Sequence, residues 1–199
     1  LIREGYKFVG WEPKLERMPA HNATVVAQLT ANNYTVTLNV SGGDALLERR
    51  FTVTYDQPYS CLPNASRTGH TFNGWFTENG EQVTNETTAN ITADNHTLYA
   101  QWAINNYTVT FDYGNGTNTS TKLTYNETII YPENLIREGY TFNGWEPKPE
   151  RMPAEDITVT AQWAVNNYTL TFDFGNGTVI REVLNYSDTV TYPNLTREG

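Results

Sequence analysis

The sequence predicts a mainly β chain built from small tandem modules with little helix, and three observations carry that prediction. Blocks of sequence recur in a fixed order, apolar and polar residues alternate with period 2 inside each block, and glycine-containing turns separate the alternating runs. Length alone decides little, because 199 residues suit one domain or several.

The recurrence sets the organisation. "NNYTVT" begins at Asn32 and again at Asn105, and "NNYTLT" begins at Asn166. "LIREGYKFVGWEPK" at the start returns as "LIREGYTFNGWEPK" from Leu135 and, more loosely, as "SRTGHTFNGW" from Ser66. "AQL" at Ala27 matches "AQW" at Ala100 and at Ala161. These landmarks divide the chain into the C-terminal part of a repeat (1–31), a complete repeat with an insertion (32–104), a second complete repeat (105–165) and the N-terminal part of another (166–199). Trp75 to Trp102 spans 27 residues where Trp145 to Trp163 spans 18, and the extra length falls in "FTENGEQVTNETTANITADN", which reads as a surface elaboration. Only Ala164 to Asn167 separate Trp163 from Tyr168, with no Gly-, Ser- or Pro-rich linker. Modules of about 60 residues are marginal alone and lean on their neighbours, so the expected shape is an elongated stiff rod.

Within the 105–165 repeat, Tyr107, Val109, Phe111 and Tyr113 alternate with Thr108, Thr110 and Asp112, as in a strand with one buried face. "GNGT" turns the chain, "KLTYNETIIYP" is read as the return strand, and Pro132 is read as its end because proline cannot donate to a ladder. Next, "REGYTFNGW" places Tyr140 and Phe142 on one face, with Gly139 and Gly144 suited to turn or bulge geometry. Ile157, Val159, Ala161 and Trp163 line one face of the last strand. "PENLIREG" could supply at most a single helical turn. In the 166–199 part, Tyr168, Leu170, Phe172 and Phe174 are expected to pack inward.

"YTVTFDYGNGT", then "REGYTFNGW", then "ITVTAQW" resemble the Listeria–Bacteroides repeat, the family that includes the B-repeats of bacterial internalins. The run from Gly139 to Trp145 with Ala161-Gln162-Trp163 carries the likeness, which extends over nearly the whole chain. It implies β-grasp-like, ubiquitin-like modules strung in tandem in extracellular surface proteins as stalk or spacer, sometimes with adhesive roles, and without catalytic residues.

Composition excludes several classes. A net charge of −9 with no Lys/Arg run offers no surface for a nucleic-acid backbone. No apolar run reaches the ~18–20 residues of a membrane span, and no signal peptide is recognisable in the segment. Cys61 is the single cysteine, so no intrachain disulfide or cysteine-based metal cluster can form, and it is read as a small buried or incidental side chain, with a reactive thiol or intermolecular bridge as the rival. His21, His70 and His96 do not recur at equivalent landmarks and read as polar surface. Asp112 to Gly116 resembles a fragment of a calcium loop but lacks the further carboxylates, so a plain turn is the alternative. No phosphate loop, nucleophile elbow or HExxH occurs, which argues against an enzyme; no catalytic residue, metal or cofactor is expected. The tryptophans recur at two landmarks and read as core, with a lectin-like sugar platform as the rival.

One feature exceeds the family pattern. Asn-X-Ser/Thr triplets, the acceptors of N-glycosylation in secreted proteins, occur at Asn22, Asn33, Asn39, Asn64, Asn85, Asn90, Asn95, Asn106, Asn115, Asn118, Asn126, Asn167, Asn176, Asn185 and Asn194. These are fifteen of twenty-two asparagines, where 35 Ser and Thr in 199 residues would give roughly four by chance. The bland alternative is that strand-favouring Thr and turn-favouring Asn fall close together in any β protein. Against it, Asn126 and Asn185 lie two residues apart when the copies are aligned on Tyr131-Pro132 and Tyr192-Pro193, a shift expected to keep one strand face. Asn22 and Asn95 occupy one position, where the third copy has Asp156. Covalent N-glycans are therefore expected, pointing outward and blunting exposed strand edges. Such density suggests a eukaryotic or archaeal secretory route. "TNTSTK", Thr117 to Lys122, offers O-linked positions as well.

The leading reading is a secreted or cell-surface structural glycoprotein, its modules forming the axis of a glycan-coated fibre, stalk or coat. Its expected partners are neighbouring repeats, with homotypic fibre assembly as a further possibility. The alternatives are an adhesin segment that engages a receptor or glycan through the third copy, and a spacer for an enzyme domain elsewhere.

Overall fold

A computed structural model describes residues 3–46 and 48–194. It divides into two compact units, Leu1–Asn105 and Asn106–Gly199. Described residues contain strands, turns and loops but no helix. The stretch "PENLIREG" takes no helical turn; Asn134 there adopts φ +56° and Arg137 forms an isolated bridge with Tyr140.

In the first unit, β1 (Tyr6–Glu12) and β2 (Val26–Ala31) form an antiparallel pair. A five-stranded sheet follows from β3 (Asn33–Asn39), β4 (Arg50–Thr54), β5 (His70–Phe76), β6 (Gln82–Val83) and β7 (His96–Ile104), in the order β4-β3-β7-β5-β6. β3 and β7 run parallel, and the other neighbours are antiparallel. The second unit holds β8 (Asn106–Asp112), β9 (Asn118–Thr124), β10 (Tyr140–Glu146) and β11 (Ile157–Val165) in the order β10-β11-β8-β9, again with a parallel central pair, β11 and β8. β12 (Asn167–Asp173) and β13 (Val179–Asn185) form a separate hairpin. A first hairpin whose leading strand pairs in parallel with the last strand is the sheet order of a β-grasp, here without its helix.

Period-2 alternation explains the core. Val109, Phe111, Val159 and Ala161 are buried on one face with Trp145, Ile129 and Met152. Val36, Leu38, Leu98 and Ala100 take the matching places in the first sheet, with Trp75, Val53 and Tyr59. Gly144, at φ +117°, sits where the β10–β11 register shifts after Phe142, so the bulge reading holds.

Three expectations change. The insertion is more than surface: β6 adds an edge strand, and Val83 and Ala89 enter the core. Ala89 bonds backbone to backbone with Asp56 and Gln57, as Met152 does with Asn126 and Glu127, so a longer loop with alanine and a shorter one with methionine fill one position. The return strand is "NTSTKLT", not "KLTYNETIIYP", because the Asp112–Thr117 turn is tight and the strand starts at Asn118; it ends at Thr124, well before Pro132. In the hairpin, Leu170, Phe172 and Phe174 are half-buried but Tyr168 is 54% exposed, since only two strands share that face. Trp11 on β1 is likewise half-exposed.

Candidate functional site

All fifteen acceptor asparagines are exposed. Six lie in strands, and each is the first or last residue of its strand: Asn33, Asn39, Asn106, Asn118, Asn167 and Asn185. The others lie outside strands. Asn22 is between β1 and β2, Asn64 between β4 and β5, Asn85 and Asn90 between β6 and β7, and Asn95 directly before β7. Asn115 and Asn176 occupy the β8–β9 and β12–β13 turns, Asn126 follows β9, and Asn194 follows β13.

This placement corrects two expectations. Asn126 is in a turn at φ +65°, so its two-residue offset from Asn185 is not a shift along one strand face. Strand edges are only part of what the acceptors mark: Asn118 lies on the edge strand β9 and Asn167 and Asn185 on the two-stranded hairpin, whereas Asn33, Asn39 and Asn106 start or end the interior strands β3 and β8.

Hydrogen bonding shows what six of the carboxamides do. Oδ1 of Asn39, Asn115 and Asn176 accepts from the amide of the residue two later, at 2.9, 3.0 and 2.9 Å, so in these three the triplet spacing is also a turn. Asn115 Oδ1 also accepts the Thr117 hydroxyl at 2.6 Å. Oδ1 of Asn85 accepts from Leu62 N, and Oδ1 of Asn33 from Thr54 Oγ1. Asn95 Oδ1 accepts from Thr35 N at 2.7 Å; Asp156 Oδ1 accepts from Thr108 N at the same distance. That explains the Asn/Asp exchange, since either side chain supplies the oxygen and only Asn can carry sugar. Among the described residues, no acceptor donates Nδ2, the atom that a glycan would occupy, in a described hydrogen bond. Turn chemistry and an open Nδ2 are compatible.

The other candidates resolve into structure. Asp112 and Asp173 accept the amides of Gly114 and Gly175, closing two matched turns, and among the described residues no group of three His, Cys, Asp or Glu is placed to hold a metal. Trp75 and Trp145 are buried and donate Nε1 to the carbonyls of Pro63 and Pro132 at 2.7 and 2.9 Å. Trp102 and Trp163, half-buried, donate to Val40 and Tyr113 carbonyls. In both complete repeats the indoles thus serve the core, and among the described residues they leave no stacked open platform. Cys61 is exposed, contrary to the buried alternative.

His96 is more than polar surface. Its Nδ1 lies 3.0 Å from the Asp94 carbonyl, which can only accept, so in the neutral ring Nε2 accepts from the Tyr59 hydroxyl at 2.7 Å. Tyr59 is buried, and that burial pushes its phenol up to about 12. Nothing in sequence spacing signals the pair, because Tyr59 lies 37 residues from His96 and the third copy has Ile129 in its place.

The family model of the Listeria-Bacteroides repeat domain matches residues 34–101 and 107–162, which take in most of every strand of the two large sheets. The chain belongs to the Listeria-Bacteroides repeat domain family. Relatives within reach of these repeats include a protein of Evansella cellulosilytica, provisionally named a Gly-rich membrane protein, 27% identical over 208 residues that cover 92% of this chain and 24% of the relative. A second Evansella protein, provisionally named a membrane protein, is 31% identical over 197 residues, covering 84% of this chain and 29% of the relative. Internalin H of Listeria monocytogenes is 35% identical over 113 residues, covering 51% of this chain and 20% of that protein. The chain therefore spans less than a third of the length of each of these relatives. No described helix is long and apolar enough to cross a membrane.

Proposed function

We propose that this stretch of Listeria-Bacteroides repeats is a structural, non-enzymatic segment of an extracellular or cell-surface glycoprotein, its modules forming the stiff axis of a glycan-coated fibre, stalk or coat. The observation that carries the reading is that fifteen acceptor asparagines, far above chance, are all exposed, at strand ends, in turns and in loops. A sugar there would leave the alternating core residues untouched, because core and acceptors occupy different positions. Electron microscopy of the native protein tests the mechanical part. A thin filament with repeating density and protruding sugar is expected, and a compact globule would overturn the proposal.

A second reading, an adhesive surface, draws on one observation. No acceptor lies between Asn126 and Asn167, and in that bare stretch Ile130 and Ile136 are 80% and 97% exposed. Saturable binding of the deglycosylated protein to cells or to a glycan array would favour this reading; a structural axis gives none.

A further inference from the structure

The same cluster is built twice, once in each unit. Gly5 at φ +75° directly precedes β1, and Gly139 at φ +74° directly precedes β10; both are buried. A Cβ on Gly5 would overlap the ring of Tyr55, and a Cβ on Gly139 would overlap the ring of Tyr186. Each tyrosine belongs to the next repeat, where it directly follows the return strand, β4 or β13, and precedes a left-handed residue, Asp56 (φ +59°) or Ser187 (φ +66°). Three further contacts match. Tyr6 and Tyr55 meet edge to face at 5.7 Å, and Tyr140 and Tyr186 at 5.9 Å. The guanidinium carbon of Arg3 lies 4.2 Å from the Tyr6 ring centre, and that of Arg137 lies 4.0 Å from Tyr140. Asn32 donates its amide to the Gly5 carbonyl and accepts from Tyr55 N with its own carbonyl; Asn166 does the same between Gly139 and Tyr186, with every bond at 2.8 or 2.9 Å.

We propose that this arginine–glycine–tyrosine turn is a docking surface whose partner is the tyrosine turn of the following copy of the repeat, and that this contact couples successive repeats. Glycine is required twice over: for the left-handed backbone, and because any side chain would occupy the space of the incoming ring. The Asn-Asn doublet acquires a division of labour. Its first member, Asn32 or Asn166, relays the backbone bonds across the junction, and its second, Asn33 or Asn167, is the exposed acceptor. The first junction carries one extra bond, from Tyr6 Oη to Asp56 Oδ2 at 2.7 Å. That carboxylate bond, with burial, raises the Tyr6 phenol above its usual value. The inference does not depend on glycosylation.

Amide hydrogen exchange of the full chain tests it. Tyr186→Ala removes the ring with no new backbone strain, and Gly139→Ala fills its seat from the other repeat. Each is expected to speed exchange of the β12–β13 amides about tenfold, the scale of one aromatic contact. Tyr186→Phe keeps the ring and should keep the protection. Gly116→Ala is the control: it imposes the same left-handed strain at φ +85° in the β8–β9 turn, with open space around the Cβ, and should leave β12–β13 unchanged. Unchanged β12–β13 exchange in both Tyr186→Ala and Gly139→Ala would overturn the proposal, as would an equal effect from Gly116→Ala.

Discussion

Trp145→Ala separates a core indole from a sugar platform. Trp145 is 4% exposed and meets Phe111, Tyr113 and Phe142 at ring-centre distances of 5.3, 5.7 and 5.7 Å. Its Nε1 satisfies the Pro132 carbonyl at 2.9 Å. Truncating a buried tryptophan costs about 3–5 kcal/mol, and the unpaired carbonyl adds about 1 kcal/mol. A module of about 60 residues, at ~0.05–0.15 kcal/mol per residue, has roughly 3–9 kcal/mol to lose. The substitution should therefore unfold the β8–β11 sheet or leave it barely stable. Trp145→Phe, which keeps a ring but not the donor, should cost much less. Exchange protection resolved by sheet, together with denaturant unfolding, measures both. A loss below about 1 kcal/mol for Trp145→Ala would refute the packing argument and reopen the platform reading.

Two further outcomes follow from named contacts. Burial holds the Tyr59 proton to about pH 12 in the folded chain, whereas the unfolded chain releases it near 10, so its stabilising contribution is complete below 10 and is lost as pH rises to 12. The rise from 10 to about 12 corresponds to at most about 2.7 kcal/mol. Denaturation at pH 9 and pH 12 should show a shallower loss in Tyr59→Phe than in the wild type, and equal losses would contradict the assignment. Asn167 and Asn185 face each other directly across β12–β13, with Cβ atoms about 5 Å apart for such a pair. Two bulky glycans on neighbouring stems should exclude one another, so glycopeptide mass spectrometry of a peptide spanning both should find either site filled but seldom both.

Much of the fold was legible because it follows from local alternation. Val109, Phe111, Val159 and Ala161 face the core as period 2 requires, and Gly144 marks its bulge. What was not legible depends on long-range fit. The return strand was misplaced because "TNTSTK" carries no apolar alternation; it pairs residue by residue with β8 through the tight turn at Gly114 and Gly116. Ala89 and Met152 fill one position from loops of different length, an equivalence visible only in their backbone partners. Of the candidate sites, the triplets were legible as a pattern, but that the six in strands all sit at strand ends was not, because long-range pairing fixes where each strand begins and stops. The docking turn was hidden for another reason. Gly139 read as an ordinary turn glycine, and the Tyr186 ring that fills its space comes from the next repeat, 47 residues on.

Site occupancy tests the glycan coat most directly. The protein purified from its native source, digested and treated with an N-glycan-releasing amidase in heavy-oxygen water, records each occupied asparagine as a mass-tagged aspartate. The account expects most of the fifteen acceptors to be tagged, including the turn sites Asn115 and Asn176. Tags at fewer than about a third of them would contradict it, and the triplets would then be turn and strand chemistry alone.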